Sequence, residues 1–349
     1  MSTERADASQ GGRVAVCIGR FQPPTARHLV LIEGLLASFD RVYVVCTGAA
    51  QPADPANPWS IEARTAMLRA CLPDARSRLL SIADCWYDDT RWAARLAALL
   101  VEACAADGLP SRSLDLSCLG LERAGPDYYA RLFPQWQALA PDADAPPFEP
   151  DFGATLLGAD PIARAALIAA QVPAAARPLL DALWHSPLGA ALAVEQAFIL
   201  DYRRRWEAAP FPPVFVTVDT LVIWRAQVLL VRRGRLPGVG LLALPGGFLD
   251  PGESLAAAAR RELAEETGLV LADPPLAQAV QVFDHPLRSR RGRTITHVWH
   301  FDLSALPAPP RVAGGDDAAD ARWMPLASLK PGDFFEDHYA ILQTMLGLD

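Results

Sequence analysis

The sequence predicts two domains of different class, a Rossmann-like α/β domain followed by an α+β domain. Three observations carry this reading. Buried-strand and helix patterns alternate through the first part of the chain, a Pro-rich break stands at Pro210-Phe-Pro-Pro213, and beyond it short β-branched runs recur at close spacing. A chain of 349 residues is also too long for one ordinary core, and an apolar share of 51% is enough for two.

Val14-Ala-Val-Cys-Ile-Gly19 is an uninterrupted apolar run, the pattern of a strand covered on both faces in a parallel sheet. Gln22-Pro-Pro-Thr25 turns the chain, Leu29, Ile32 and Leu36 recur at helical spacing, and Val42-Tyr-Val-Val-Cys46 resumes extended structure, completing a βαβ unit. The alternation predicts a helix around Ile61 to Leu72, a strand near Leu79 to Ile82, a helix over Arg91 to Ala105 and a strand near Leu114 to Leu119. Pro141 to Pro150 reads as a loop inside this domain, which spans 13–185. A helical linker over 186–212 contains Tyr202-Arg-Arg-Arg-Trp206 and ends in the stiff Pro210 to Pro213 segment. The second domain, 213–349, opens with Val214-Phe-Val-Thr-Val218, Leu221-Val-Ile-Trp224 and Val228-Leu-Leu-Val231, short strands in hairpin spacing.

A net charge of −8 argues against a nucleic-acid-binding surface, although a local Arg cluster can still serve small anions. Met1 to Arg13 lacks the apolar core of a signal peptide, and no segment is apolar enough to span a bilayer, so a soluble cytoplasmic protein without a membrane partner is expected. The cysteines Cys17, Cys46, Cys71, Cys85, Cys104 and Cys118 lack C-x-x-C spacing and read as buried thiols. Oligomeric state is left open, a homo-oligomer included.

The sharpest motif runs from Gly247. Glu253 follows after five residues, and Arg261-Glu262-Leu263, Glu265-Glu266 and Gly268-Leu269 come after seven more. The stretch resembles the signature of Nudix hydrolases at every fixed position. Its physics points the same way. Leu255 to Thr267 is predicted to be a helix ended by Gly268 in a left-handed cap, which places Glu262, Glu265 and Glu266 within an arc of roughly 100°. Three crowded carboxylates repel one another, and a hard divalent cation, Mg²⁺ or alternatively Mn²⁺, relieves them. Pro245-Gly246-Gly247 allows close backbone approach, with a carbonyl at or near Gly246 as a further ligand. The metal would neutralise diphosphate charge and activate water, while Glu262, Glu265 or an acid on a later loop acts as general base. Arg261 belongs to this catalytic set through an orienting ion pair with Glu253.

Phe283 to Thr296, with its Arg-Gly-Arg-Thr-Ile-Thr run, followed by Gly314-Gly-Asp-Asp-Ala318 and Trp323, resembles the ADP-ribose-handling branch of that family. The resemblance implies substrate contacts from Arg288, Arg290, Arg291 and Arg293, and a metal or general-base role for Asp316 or Asp317. A solvated basic hairpin and solvated loop acids are the plainer alternatives.

Gly19-Arg-Phe-Gln-Pro23 with His28 resembles nicotinamide-nucleotide adenylyltransferases of the nucleotidyltransferase α/β class. Asn57-Pro-Trp59, Arg64, Asp84, Tyr87, Asp89, Trp92, Tyr128-Tyr129 and Leu132-Phe-Pro-Gln-Trp136 recur in the same order in bifunctional proteins joining that enzyme to a Nudix domain. This implies a nucleotide site at Gly19, Phe21, Gln22, His28, Trp59, Arg64 and Trp92, for NMN and ATP. The phosphate motifs depart from the family. H-x-G-H reads Thr25-Ala-Arg-His28, S-S-T-x-x-R reads Gly153-Ala-Thr-Leu-Leu-Gly158, and G-x-x-K-D reads Gly120-Leu-Glu-Arg-Ala124. Each lost phosphate donor costs roughly 3 kcal/mol of transition-state stabilisation. The expected function is a Mg²⁺-dependent pyrophosphatase hydrolysing ADP-ribose to AMP and ribose 5-phosphate, behind an adenylyltransferase-like domain of eroded activity. The alternatives are a fully bifunctional enzyme that also makes NAD, and an ADP-ribose-sensing regulator, against which stand the intact acidic motif and the short tail after Leu346.

Overall fold

The computed structural model describes residues 13–109, 116–121, 126–140, 149, 151–271 and 277–348, divided into two compact units, Met1–Ala190 and Ala191–Asp349. Most of the loop read at Pro141 to Pro150 and the altered motif residues Glu122, Arg123 and Ala124 lie outside the described residues.

In the first unit β1 (Val14–Gly19), α1 (Ala26–Ser38), β2 (Arg41–Cys46), α2 (Ile61–Cys71), β3 (Ser77–Ser81), α3 (Asp89–Ala106) and β4 (Leu116–Gly120) alternate strictly. α4 (Pro126–Leu132), β5 (Gln137–Ala138), α5 (Phe152–Gly158), α6 (Pro161–Gln171) and α7 (Arg177–Trp184) follow, and α8 (Pro187–Arg204) leads into the second unit. The sheet is parallel throughout, in the order β3-β2-β1-β4-β5. Every residue of β1 is buried, because alternate side chains enter two cores. Val14, Val16 and Ile18 pack with Trp92, Leu96 and Leu100 of α3, whereas Ala15 and Cys17 pack with Ile32, Leu35 and Leu36 of α1. That double burial is what the unbroken apolar run encodes. The strand order reverses between β1 and β4, so the crevice beyond their carboxyl ends is where such a sheet places a ligand.

The second unit contains β6 (Val214–Trp224), β7 (Gln227–Arg233), β8 (Leu242–Ala243), β9 (Gly246–Phe248), α9 (Leu255–Thr267), β10 (Ala279–Phe283), β11 (Arg293–Asp302), β12 (Ala318–Pro325) and α10 (His338–Leu346). The main sheet runs β10-β11-β6-β7-β12, with β8 on β7 and β9 on β6. One expectation is corrected. Val214 to Val218 and Leu221 to Trp224 are not two strands of a hairpin but one strand, paired in parallel with β11 from Arg293↔Val214 to Asp302↔Ile223. Asp219 and Thr220 look like turn residues, yet their polar groups are satisfied inside the sheet. Thr220 bonds Pro245 O through both its amide and its hydroxyl, and Asp219 Oδ2 accepts from Thr296 Oγ1 at 2.5 Å. The hairpin turn is instead Arg225-Ala226, between β6 and β7.

From residue 191 onward α8 packs with the second unit: Glu195 accepts from Gly238 N at 3.0 Å, and Tyr202 and Trp206 meet the Phe215 ring edge-on at 5.8 and 5.2 Å. Among the described residues no helix is long and apolar enough to cross a membrane.

Gly120 ends β4 directly beneath Tyr129, and a Cβ there would lie 2.0 Å from that ring. Gly120→Ala is expected to cost about 1–3 kcal/mol of the first unit's stability by displacing Tyr129, measured by urea denaturation.

Candidate functional site

In the second unit the site forms where β9 meets α9. Ser254 caps the helix, its hydroxyl accepting from Ala257 N, and Gly268 closes it with φ 68°, so the helix limits are those its residues predict. Ala258, Ala259 and Leu263 form the buried stripe. Glu262 and Glu266 flank that stripe and are drawn in with it, retaining only 9% and 7% of their exposure, while Glu265 on the same arc stays exposed. The glycines of β9 make this approach possible. A Cβ on Gly247 would stand 2.5 Å from Glu262 Oε1, and one on Gly246 would stand 2.2 Å from Val218 O. The Gly246 amide donates to Glu266 Oε2 at 3.0 Å.

Arg261 is the counter-charge. Its guanidinium meets both Glu253 oxygens at 2.7 and 3.2 Å, Glu262 at 2.8 Å, Glu265 at 3.0 Å and the Phe248 carbonyl at 3.2 Å. Hydrogen bonding to Glu253 is the main reason it holds its proton more tightly than usual. Burial pushes Glu266 up to about 8, and the charges of Glu262 and Asp219 add to the effect. Glu262 is also raised, first by burial and less by Glu265 and Asp316, with Arg261 opposing.

Among the described residues no three His, Cys, Asp or Glu side chains converge as a formed metal cluster. Glu262 and Glu265 instead share Arg261. The donor set nevertheless suits a hard divalent cation. It consists of oxygens only, it includes two buried carboxylates that resist ionising side by side, and it lies against Gly246 and Gly247, which carry no Cβ.

Behind Glu266 lies a buried polar network. Arg288 is 4% exposed and grips Asp337 with two bonds of 2.9 and 3.0 Å, while its Nη2 lies 4.0 Å from Asp219. His338 Nδ1 accepts from Leu244 N at 3.0 Å, fixing the segment that leads into Gly246, and burial lowers the affinity of this imidazole for a proton. Arg288, expected to meet substrate, therefore has its guanidinium committed to the interior. Arg293 is bonded to the carbonyl of Asp284 and lies 3.6 Å from its carboxylate. Arg290 is tied at its backbone to Glu336 and Arg203, and Arg291 lies over the Phe248 ring at 5.1 Å. Asp316 is exposed in a left-handed conformation with φ 46°, and Asp317 pairs with Arg235 at 2.5 Å. The glycines before them dock on α9, where Gly315 N donates to Glu266 O at 3.2 Å. Asp219, Arg233, Asp337 and His338 belong to none of the motifs read in the sequence, whereas Thr296, which closes the Arg-Gly-Arg-Thr-Ile-Thr run, carries no individual role there. The one signal for Asp219 was an acid inside an otherwise apolar strand.

In the first unit, Gly19, Phe21, Gln22, His28, Trp59 and Arg64 gather at the carboxyl ends of β1 and β2. The Gln22 side chain bonds both backbone groups of Trp59 at 3.0 and 3.1 Å. His28 Nδ1 closes a capping box with Thr25 at 2.9 and 2.8 Å, beneath the Phe21 ring. Arg64 is 1% exposed and donates to the carbonyls of Arg20, Thr47 and Gly48 at 2.6, 2.8 and 3.1 Å. A cavity of about 160 Å³ opens beside Gln22, Asn57, Trp59 and Arg64. Trp92 lies apart from this group, on the opposite face of the sheet, with Tyr129 and Phe133.

Residues 214–345 match the NUDIX domain model, and residues 16–111 match the cytidylyltransferase-like model. The structure is similar to that of a bifunctional NMN adenylyltransferase/ADP ribose pyrophosphatase from Francisella tularensis, at 30% identity and a TM-score of 0.85, covering 96% of this chain and 99% of that one. A second structure of that protein, complexed with AMP and a manganese ion, matches over the same extent with a TM-score of 0.84. An ADP-ribose pyrophosphatase from Methanocaldococcus jannaschii is 34% identical over 128 residues, 37% of this chain and 70% of that one.

Because the folded, metal-free protein favours neutral Glu266, that group's contribution to stability is complete below its ordinary value of 4.5 and is lost as pH rises through about 8. Metal-free protein is therefore expected to lose Tm as pH rises from about 5 to about 8. Glu266→Gln flattens that slope, and added Mg²⁺ reverses the alkaline loss. Parallel pH-dependent melting curves of wild type and variant check this.

Proposed function

The chain belongs to the bifunctional NMN adenylyltransferase/ADP-ribose pyrophosphatase family, and from that premise we propose a Mg²⁺-dependent hydrolase that splits ADP-ribose into AMP and ribose 5-phosphate. The observation that carries this reading is the burial of Glu262 and Glu266 against Gly246-Gly247, beside the exposed Glu265. Glu262, Glu265, Glu266 and the Gly246 carbonyl would hold the ion. When bound, it supplies Lewis acidity and cancels diphosphate charge.

The chain's own groups do the rest. Glu253 and the Phe248 carbonyl hold Arg261, which in turn fixes the Glu262 and Glu265 carboxylates. Glu262 and Glu265 would offer their remaining oxygens to the ion, with Arg261 kept in place by Glu253 and the Phe248 carbonyl. One of Glu262, Glu265 or Asp316 takes a proton from the attacking water. Water oxygen joins one phosphorus, the bond from that phosphorus to the bridging oxygen breaks, and the two monophosphates leave. Glu266→Gln removes a buried ligand and is expected to lower kcat by about 10³-fold, since several kcal/mol of charge stabilisation depend on the metal. Hydrolysis assays across nucleoside-diphosphate sugars and dinucleotides test both the rate and the substrate.

For the first unit the reading is a nucleotide-binding domain that transfers adenylate slowly or not at all. His28 is already bonded to Thr25, Arg27 occupies the motif's glycine position, and Gly158 stands in place of an arginine. A working second enzyme is favoured by the cavity beside Trp59. Incubation with ATP and NMN decides between them: only trace NAD is expected, and NAD formed at a substantial rate would establish the bifunctional reading.

A further inference from the structure

We propose that Arg233, at the end of β7, and Arg291, in the loop before β11, form the clamp that receives the substrate's diphosphate. The proposal rests on the hydrolase reading above and assigns the anion contact within that site. The other arginines near the site are committed elsewhere. Arg261 serves Glu253, Glu262 and Glu265, Arg288 serves Asp337, Arg293 serves Asp284, and Arg235 serves Asp317. Among the described residues no carboxylate lies within ion-pair distance of Arg233 or Arg291, and the terminal amino groups of both have no hydrogen-bond partner.

Both side chains are nevertheless held in place. Arg233 donates through Nε to Pro237 O at 2.8 Å and lies 4.1 Å from the Phe335 ring centroid, and Arg291 lies over Phe248. These contacts fix the planes of the guanidiniums without using their forks. Their placement flanks the carboxylate helix. Phe248 directly follows Gly247, which abuts Glu262. Arg233 pairs with Ala318, whose preceding loop rests on the Glu266 carbonyl through Gly315. The two cations are close enough to repel, and burial together with Arg291 makes Arg233 a weaker base than usual. Glu336, Glu266 and Asp317 act on Arg233 only at longer range, without a direct ion pair, so an anion with several oxygens can bridge the two part-buried guanidiniums, and two adjacent phosphates offer that shape.

The test compares wild type with Arg233→Gln, Arg291→Gln and, as a control, Arg205→Gln, whose side chain is 74% exposed. Two readouts are used: ADP-ribose hydrolysis, and calorimetric binding of inorganic pyrophosphate with Mg²⁺ present. Each clamp variant is expected to raise KM on the order of tenfold, with kcat changed far less, and to weaken pyrophosphate binding by a similar factor. The control leaves both unchanged. Should Arg233→Gln fail to fold, Arg291→Gln, on a loop, carries the test alone. Pyrophosphate affinity and KM both at wild-type level in Arg291→Gln would overturn the clamp. Wild type that binds pyrophosphate in an Arg291-dependent way without hydrolysing ADP-ribose would support the clamp while refuting the proposed substrate.

Discussion

Two carboxylates buried against the two glycines of β9 set the terms for the carboxy-terminal unit. Glu262 and Glu266 sit one turn apart on α9, beside the stripe that packs on β6, so the packing that builds the core also removes their charges from water. Such burial is unfavourable unless compensated. Compensation comes in layers: the Gly246 amide meets Glu266, Arg261 meets Glu262, and the remaining imbalance is of the kind a hard divalent cation would relieve. Glycine is required at β9 because any side chain at either position would occupy the space of a carboxylate or of the neighbouring strand.

The network behind the site extends the same logic. Asp219 lies in β6 directly opposite Gly246, held by Thr296, while Arg288 bonds Asp337 and approaches Asp219. A buried ion pair of this kind adds little net stability, since desolvation offsets much of the attraction, but removing one partner leaves an unpaired charge. Its consequence here is positional. The pair ties the start of the Arg-rich loop to the start of α10, and His338, in the first turn of that helix, fixes Leu244 before the glycines. Three segments distant in sequence thereby meet around Glu266.

The amino-terminal unit uses buried polar groups for a different end. Arg64 gathers the carbonyls at the ends of β1 and β2, and Gln22 locks the segment after β1 to Trp59. These bonds shape the crevice at the carboxyl ends of the parallel strands, where the fold presents a ligand. They also commit to the backbone side chains that the resemblance assigned to nucleotide contact.

The sequence by itself determined what depends on local spacing. Strand burial in β1, the βαβ alternation, the limits of α9 and the shared arc of its glutamates all follow from side-chain periodicity and capping residues within about a dozen positions. The tertiary structure decided whatever depends on partners far along the chain. Asp219-Thr220 has turn composition and becomes mid-strand because Pro245 and Thr296 satisfy it, 25 and 77 residues away. Among the clustered arginines, sequence cannot distinguish Arg288, turned inward to an aspartate 49 residues later, from Arg291, left on a ring face. Arg233 carried no motif at all. A guanidinium is equally at ease on a surface, in a buried pair or over an aromatic ring, and only the packed neighbours select among these.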